Sequence, residues 1–282
     1  NNEAIINKLA KNSVKTNKKQ YAILFFTIIL SAFMLFCVFT IGMTYLNSSR
    51  LQNTRLNGAE YDIVTMNGFT SEQLNTLQQN ENIRSVGIES YAGFIQSTEY
   101  DKTVEIGLLW CDEVFWDNLM SPARTKLDGH YPQNKNELMV TKDILKTCGN
   151  ENLSVGDSLI LTYENNTGVY TDEFVISGIW DGYGDTSAGF VSKAFYDETG
   201  YDLKNNGILC IKLNCNYVFP TTIQSIEKSL DFSDRQIFAP TGYIENSFKL
   251  LLGICGLALV ICLSAYLLIY NILYLSVSGK IR

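Results

Sequence analysis

Two long apolar segments near the two ends of the sequence constrain its fold more than any other feature. Residues 21–46 and 250–277 contain no Asp, Glu, Lys or Arg. Each exceeds the roughly 20 apolar residues that an α-helix needs to cross the hydrocarbon core of a membrane. The sequence therefore predicts two transmembrane helices on either side of a polar region, residues 47–249.

Two other interpretations of the apolar segments are disfavoured by their length. The first segment follows a basic start, as a signal peptide does, but its apolar run is too long and no clear A-x-A cleavage site follows it. Uncharged runs of this length are also unusual for core helices of a soluble protein. The spans carry no ionisable side chain except tyrosine and cysteine. Since intramembrane charges mark most ion and proton paths, an ion-coupled transporter or channel is disfavoured.

The distribution of charge predicts how the two spans are oriented. Residues 1–20 carry a net charge of +4 and residues 278–282 carry +2, while the whole chain carries −7, which leaves −13 for residues 47–249. Lys and Arg beside a span favour the cytoplasmic side. Both ends are therefore expected in the cytoplasm and the acidic central region outside it. An acidic exterior without a basic stripe argues against nucleic acid as a partner.

Residues 1–20 have the pattern of an amphipathic helix. Ile5, Ile6, Leu9 and Val14 recur at helical spacing, and lysines stand mostly between them. Such a helix would lie on the inner surface of the membrane, in contact with anionic lipids. The alternative is an ordinary basic flank that only orients the first span, and the sequence leaves both open.

The central region, residues 47–249, has the signals of a mixed α and β domain. Apolar alternation predicts strands at residues 61–66, 83–88, 91–95, 104–110, 137–140, 159–163, 173–180, 208–213 and 236–238. Helices are predicted at residues 70–77, 112–119, 141–147, 192–198 and 221–230. The fold class predicted is a membrane protein with two transmembrane α-helices that flank an α+β extracytoplasmic domain.

Three local signals refine this prediction. Thr70-Ser71-Glu72-Gln73 is a capping box that opens a short helix. Asn165-Asn166-Thr167-Gly168 is a hairpin turn between two alternating segments. Residues 127–131 are expected to form a turn around Gly129. Residues 47–56 and 242–249 contain no breaker and are expected to continue the two spans outward as helical stalks.

The sequence contains no recognisable catalytic constellation. It lacks G-x-S-x-G, H-E-x-x-H and G-x-x-x-x-G-K-[ST] motifs. Its one histidine, His130, lies in LDGHYP and is expected to be a surface turn residue rather than a base. A calcium site built from Asp181, Asp185 and Glu198 is conceivable, but solvated loop carboxylates are the more common case. We therefore predict no enzyme, no cofactor and no metal.

Four cysteines lie in the central region, namely Cys111, Cys148, Cys210 and Cys215. They contain no C-x-x-C pair that would indicate zinc. The sequence does not decide whether one disulfide forms that includes Cys210 or Cys215, because connectivity cannot be deduced from a single sequence.

Aromatic residues are frequent in the central region, and most are expected to pack in its core. A cluster such as Trp180, Tyr183 and Phe190 could instead form a surface that grips a peptide or a partner protein.

Several stretches in a fixed order resemble the FtsX/MacB-type permeases of ABC transporters. They are LAKNSVKTNKKQY at 9–21, LDGHYP at 127–132, NELMV at 136–140, VGDSL at 155–159, FVISGI at 174–179 and YNILYLSV at 270–277. The resemblance covers nearly the whole chain, and the order and spacing of these stretches are more specific than any one of them. Permeases of this family continue with a coupling helix and further spans, so the chain is expected to be the N-terminal half of a longer permease or a truncated one.

The resemblance implies a function. A separate cytoplasmic ABC ATPase would move the coupling segment at Lys280, Ile281 and Arg282, and the spans would transmit that motion to a MacB-like central domain. The resemblance also implies a dimer of permeases or permease halves in a bacterial plasma membrane. Its ligand would be a peptide or an envelope protein, for export, resistance or sensing. The low proline and high Asn and Lys content favours a low-GC Gram-positive bacterium.

Two other functions stay open at this point. The chain could be a membrane-anchored receptor or scaffold that binds an envelope protein or peptide without any ATPase. It could also be a membrane-tethered enzyme, in which case His130 or the pair Asp181 and Asp185 would be essential.

Overall fold

The computed structural model describes residue 15 and residues 18–96, 106–183 and 188–278. The chain divides into two units, which are described separately. One unit contains residues 1–48 and 249–282, and the other is Ser49–Phe248, called here the central domain.

The described residues contain ten strands and a set of α-helices. The strands are β1 (Ile63–Met66), β2 (Ile83–Ile95), β3 (Ile106–Cys111), β4 (Arg124–Gly129), β5 (Glu137–Thr141), β6 (Ser158–Asn165), β7 (Gly168–Gly182), β8 (Ala188–Val191), β9 (Ile208–Leu213) and β10 (Ile237–Pro240). The helices are α1 (Lys18–Asn57), α2 (Ser71–Gln78), α3 (Lys142–Thr147), α4 (Lys193–Tyr196), α5 (Leu203–Asn206), α6 (Pro220–Ser229) and α7 (Gly242–Ser278). A π-helical turn (Val114–Leu119) and a 3-10 turn (Ser121–Ala123) stand between β3 and β4.

The first unit consists of the apolar parts of α1 and α7. Both helices are long and apolar enough to cross a membrane. They contact each other at Gly42, where an added Cβ would lie 2.6 Å from Cδ1 of Ile254. A glycine at this position lets the two helix backbones approach closely, as small residues do in membrane helix pairs.

The central domain is built on one sheet with helices packed against it. The strand order is β10-β1-β9-β2-β3-β8-β5-β7-β4, and β6 pairs with both β2 and β7. Most neighbours are antiparallel, while the β3–β8 and β5–β7 pairs are parallel. This arrangement is an α+β domain, as the sequence predicted.

The core beneath β10, β1, β9 and β2 explains why α2 and α6 form where they do. Leu77 of α2 and Ile223 and Ile226 of α6 are buried against Ile63 and Ile211 of the sheet. Fully burying one such side chain stabilises a fold by about 1.5–3 kcal/mol. These apolar positions therefore hold two short helices whose intrinsic stability in water would be marginal.

The capping box predicted at the start of α2 is present. The hydroxyl oxygen of Thr70 accepts a hydrogen bond from the Gln73 amide at 3.2 Å, and the Gln73 side chain accepts one from the Thr70 amide at 2.9 Å. Gln73 is buried and also donates to the carbonyl of Asp231 at 3.0 Å. The cap therefore ties the start of α2 to the segment after α6.

Replacement of Thr70 by alanine is expected to lower the free energy of unfolding by about 1 kcal/mol, because it removes the acceptor for an otherwise unpaired helix amide. Urea unfolding followed by tryptophan fluorescence measures this, since all three tryptophans lie in the central domain. Thr76→Ala, in the same helix, is the matched control and should be neutral or slightly stabilising. Equal losses in the two variants would contradict the role of the cap.

Three local predictions differ from the structure. The turn expected at residues 127–131 is instead the end of β4, an edge strand whose exposed side chains show no alternation and whose pairing with β7 determines its conformation. The two strands expected at 83–88 and 91–95 are one strand, β2, with an irregularity between Tyr91 and Gly93. The helix expected at residues 112–119 is a π-helical turn.

Candidate functional site

The two long helices join the central domain at adjacent strands. Helix α1 ends at Asn57, Gly58 turns the chain with a φ of +69°, and β1 begins at Ile63. At the other end of the domain sequence, β10 ends at Pro240 and α7 begins at Gly242. Strands β1 and β10 are antiparallel neighbours, with Ile63 opposite Pro240. The chain therefore enters and leaves the domain at one place.

A buried group of charged side chains, called here the junction cluster, lies at this place. It consists of Glu60 and Asp62, just before β1, and Lys212 of β9. The Lys212 ammonium lies 3.1 Å from a carboxylate oxygen of Glu60 and 3.2 Å from one of Asp62. The side chains of Lys212, Asp62 and Glu60 are 7%, 2% and 27% exposed, respectively. The Lys212–Asp62 pair is therefore enclosed in the domain, while Glu60 is half-buried at its edge.

Asp62 connects three strands through its main chain and side chain together. Its amide donates to the carbonyl of Ile211 at 2.9 Å, and its carbonyl accepts from the amide of Thr241 at 2.8 Å. Its carboxylate accepts from the amide of Leu213 at 2.9 Å. One residue thus holds the segment after α1, the segment before α7 and the strand β9 in fixed register.

Burial and hydrogen bonding act in opposite directions on the charged groups of the junction cluster. Burial raises the pKa of Asp62, while the charge of Lys212 and the amide of Leu213 oppose that rise. Removing two charges from water costs several kcal/mol per ion, which their mutual attraction and hydrogen bonds must offset. The cluster therefore depends on all three members being present together.

The ends of the two long helices also pack on other parts of the central domain. On α7, the ring of Phe248 lies 4.3 Å from that of Phe219, and the Tyr243 hydroxyl donates to the carbonyl of Asn216 at 3.3 Å. On α1, the Arg55 guanidinium lies 4.1 Å above the ring of Tyr183. The terminal turns of both helices are thus part of the domain.

A cavity of about 410 Å³ opens beside the junction cluster. Its walls include the side chains of Glu60 and Lys212, together with Arg84, Asp117 and Ser121. Close packing normally resists any rearrangement of a protein interior. Glu60 and Lys212 therefore border open space on this side of the junction cluster.

The predicted aromatic surface of Trp180, Tyr183 and Phe190 is corrected by the structure. Trp180 is 5% exposed and Phe190 is 2% exposed, and their rings pack 5.6 Å apart in the core. Their strands β7 and β8 both pair with the central strand β5, which places these side chains inside. Only Tyr183, which is 39% exposed, reaches the surface.

Other predicted site residues fall outside the part of the chain that the structure describes. These are the membrane-surface residues Ile5, Ile6, Leu9 and Val14, the coupling residues Lys280, Ile281 and Arg282, and Asp185 of the suggested calcium site. Their roles stay predictions.

The remaining candidates for chemistry are dispersed. His130 is exposed, and its Nδ1 lies 3.0 Å from the carbonyl of Tyr131. Glu198 forms an ion pair with Lys135, and within the described ranges no group of three or more His, Cys, Asp or Glu side chains could hold a metal ion. All seven cysteines, which the described ranges include, are free thiols.

Sequence reasoning missed the junction cluster, although one signal for it was present. Strand β9 reads ILCIKL, so Lys212 is the single charged residue in an otherwise apolar strand. A lysine is almost never fully buried without a partner. The sequence could therefore have indicated a buried ion pair, but not that the partners come from residues 60 and 62.

Comparison with solved structures finds domains that are similar to part of this chain at low sequence identity. The chain is similar to the periplasmic region of MacB from Actinobacillus actinomycetemcomitans, with 14% identity over 69% of this chain and 95% of that one, at a TM-score of 0.44. It is also similar to the extracellular domain of the noncanonic ABC-type transporter YknZ from Gram-positive bacteria. The identity is 12% over 64% of this chain and 98% of that one, at a TM-score of 0.41. A third similar structure is a domain of a putative permease protein from Porphyromonas gingivalis. The identity is 9% over 64% of this chain and 89% of that one, at a TM-score of 0.40.

No protein-family model matches the sequence, and no curated protein sequence matches it either.

Proposed function

We propose that this chain is the transmembrane subunit of an ABC transporter of the FtsX/MacB type. The observation that supports the proposal most is the junction cluster, where both long helices join adjacent strands of one domain. A receptor that is only anchored would need no such coupling of its two helices to one point. The resemblance of the sequence motifs to this family supports the same function.

The proposed mechanism converts ATP hydrolysis into motion of the central domain. A separate ATPase in the cytoplasm would move the segment at Lys280, Ile281 and Arg282, and α1 and α7 would carry that motion across the membrane. At the junction cluster, a shift of either helix would act on β1, β10 and β9 together, because Asp62, directly before β1, bonds to β9 and to Thr241 after β10. No polar pore is required, which suits spans without charged side chains.

The setting of this mechanism is the plasma membrane of a bacterium. Both ends of the chain would be cytoplasmic and the acidic central domain would face outward. A dimer of permeases or permease halves would surround the ligand, for which a peptide is the proposed class. The proposed role is export of, resistance to or sensing of that peptide.

Purification of the full-length protein from its native membranes in a mild detergent tests this proposal. We expect an ABC ATPase to accompany it, and we expect the activity of that ATPase to change when the protein is present. Joint replacement of Lys280, Ile281 and Arg282 by alanine should abolish that change, whereas Lys18→Ala with Lys19→Ala should not. If no ATPase accompanies the protein, or if its activity never depends on the protein, the chain is instead a receptor or scaffold.

A further inference from the structure

A second site lies at the tip of the β6–β7 hairpin, remote in sequence from the junction cluster. It is a cavity of about 240 Å³, called here the hairpin pocket. Its floor is formed by the rings of Tyr163 and Phe195, which lie 5.4 Å apart. Tyr170 and Asp172 of β7 form one wall, and Lys135 and Glu198 lie at the opposite side. Pockets for drug-sized ligands measure roughly 300–1,000 Å³, so this one suits a single side chain.

The pocket is rigidly built on its hairpin side. Tyr163 is buried, and its hydroxyl donates to Oδ2 of Asp172 at 2.6 Å. The Tyr170 ring lies 6.0 Å from the Tyr163 ring, and its hydroxyl accepts from Thr167 at 3.1 Å. The side chain of Asn165 accepts from the amide of Thr167 at 2.8 Å and so fixes the turn. The aromatic face and the carboxylate are thus held in place before any ligand binds.

The pocket offers a negative charge that is only partly satisfied. The Tyr163 hydroxyl bonds to Oδ2 of Asp172, and within the described residues Oδ1 accepts no hydrogen bond from a protein group. Across the pocket, the Lys135 ammonium rests on the Glu198 carboxylate, and both side chains are more than half exposed. Because Lys135 and Glu198 neutralise each other, Asp172 is the uncompensated charge among the side chains that line the pocket.

The side chains that line the pocket carry a net negative charge, because Asp172 and Glu198 outnumber Lys135. Residues 147–192 contain seven acidic residues and no Lys, Arg or His. Burial, the hydrogen bond to Asp172 and the charges of Asp172 and Glu198 raise the pKa of Tyr163. A surface dominated by one sign of charge concentrates ligands of the opposite sign.

We infer that the hairpin pocket binds a lysine side chain of an extracellular peptide. The ammonium group pairs with Asp172 and stacks on the exposed face of Tyr170, while the aliphatic stem lies over the Tyr163 and Phe195 rings. A carboxylate combined with an aromatic face is the combination that recognises cations through ion pairing and cation–π attraction. The inference deepens the proposed function, on which it rests, by giving the peptide a chemical class.

The test uses the full-length chain in nanodiscs of phosphatidylcholine, without an ATPase or nucleotide, so that its outcome does not depend on coupling. Binding of Nα-acetyl-lysine amide is measured by ligand-observed NMR, with protein-free nanodiscs as the baseline. Nα-acetyl-norleucine amide, which lacks the ammonium group, is the matched probe. We expect the lysine probe to bind in the millimolar range and the norleucine probe to bind more than tenfold more weakly.

Three variants test the named contacts. Asp172→Asn keeps an acceptor for Tyr163 and should weaken lysine binding by about fivefold, the upper range for an exposed ion pair. Tyr170→Leu should weaken it by about two- to fivefold. Glu173→Gln removes the same charge from the neighbouring residue, which lies on the opposite face of β7 and opposite Ile160, and should change the affinity by less than twofold.

The inference is overturned if the norleucine probe binds as well as the lysine probe, or if the lysine probe does not bind. It is also overturned if Glu173→Gln weakens binding as much as Asp172→Asn, because the effect would then be one of overall charge. Since neither probe involves ATP, these results are separate from the copurification that tests the proposed function.

Discussion

Replacing Lys212 by methionine is expected to destabilise the central domain by about 3–5 kcal/mol, because it leaves buried carboxylates without their cation. Asp62 and Glu60 lie 3.2 Å and 3.1 Å from the Lys212 ammonium, and Asp62 is almost completely enclosed. The loss would be a large fraction of the 5–15 kcal/mol that typically stabilises a domain. Urea unfolding of the full-length protein in detergent, followed by tryptophan fluorescence, measures it.

Two comparisons make this measurement specific. Lys135→Met breaks the exposed pair with Glu198, whose side chains are 57% and 61% exposed, and should cost less than about 1 kcal/mol. Asp62→Asn in the Lys212→Met background keeps the acceptor for the Leu213 amide and should recover at least half of the loss. Equal costs for the Lys212 and Lys135 variants would show that the junction cluster does not hold the domain together.

The second large effect is a dependence of stability on pH that comes from Glu89. Burial raises the pKa of this carboxyl from 4.5 to about 7. Below pH 4.5 the group is protonated in both the folded and unfolded states. As the pH rises towards 7, the unfolded state loses the proton while the folded state retains it, so stability falls. The expected loss between these values is about 2–3 kcal/mol, since each pKa unit corresponds to 1.36 kcal/mol.

The position of Glu89 in the sheet explains this behaviour. It lies in the middle of β2, opposite Cys111 on one side and Ile208 on the other. Its charge helps to raise the pKa values of the Cys111 and Cys210 thiols, after burial, which is the larger cause. Burial alone causes the shift in the pKa of Glu89.

Glu89→Gln is expected to remove this pH dependence and to make the domain more stable than the natural protein at pH 8. Unfolding free energies of both proteins at several pH values between 4 and 8 provide the difference. Glu113→Gln removes an exposed carboxylate nearby in the sequence and should change stability by less than about 0.5 kcal/mol. A difference between the natural and Glu89→Gln proteins that is independent of pH would show that the ionisation of Glu89 does not control stability.

Local signals in the sequence predicted the elements that depend on neighbouring residues. The capping box at Thr70 and the hairpin turn at 165–168 both form as expected, because each is determined within four residues. The two apolar helices also follow directly from composition, as they are long enough to cross a membrane. For strands with clear apolar alternation, such as β6, the predicted ends lie within one or two residues of the observed ends.

Features that depend on residues distant in sequence were not predicted. Strand β4 is exposed on both faces and shows no apolar alternation, so only its pairing with β7 reveals it. The junction cluster joins residues that are 150 positions apart. Trp180 and Phe190 were suggested as a surface because composition cannot distinguish a buried aromatic residue from an exposed one. The hairpin pocket likewise forms only when the β6–β7 hairpin meets the segment around α4.

In the proposed mechanism, ATP-driven motion reaches the domain through the junction cluster. Hydrogen exchange of the full-length protein in complex with the ATPase that copurifies with it, with and without ATP, tests this most directly. We predict that ATP changes the exchange of amides at residues 58–62 and 241–248, including those of Asp62 and Thr241, which the junction holds in hydrogen bonds. Exchange in these segments that is identical with and without ATP would contradict the claim.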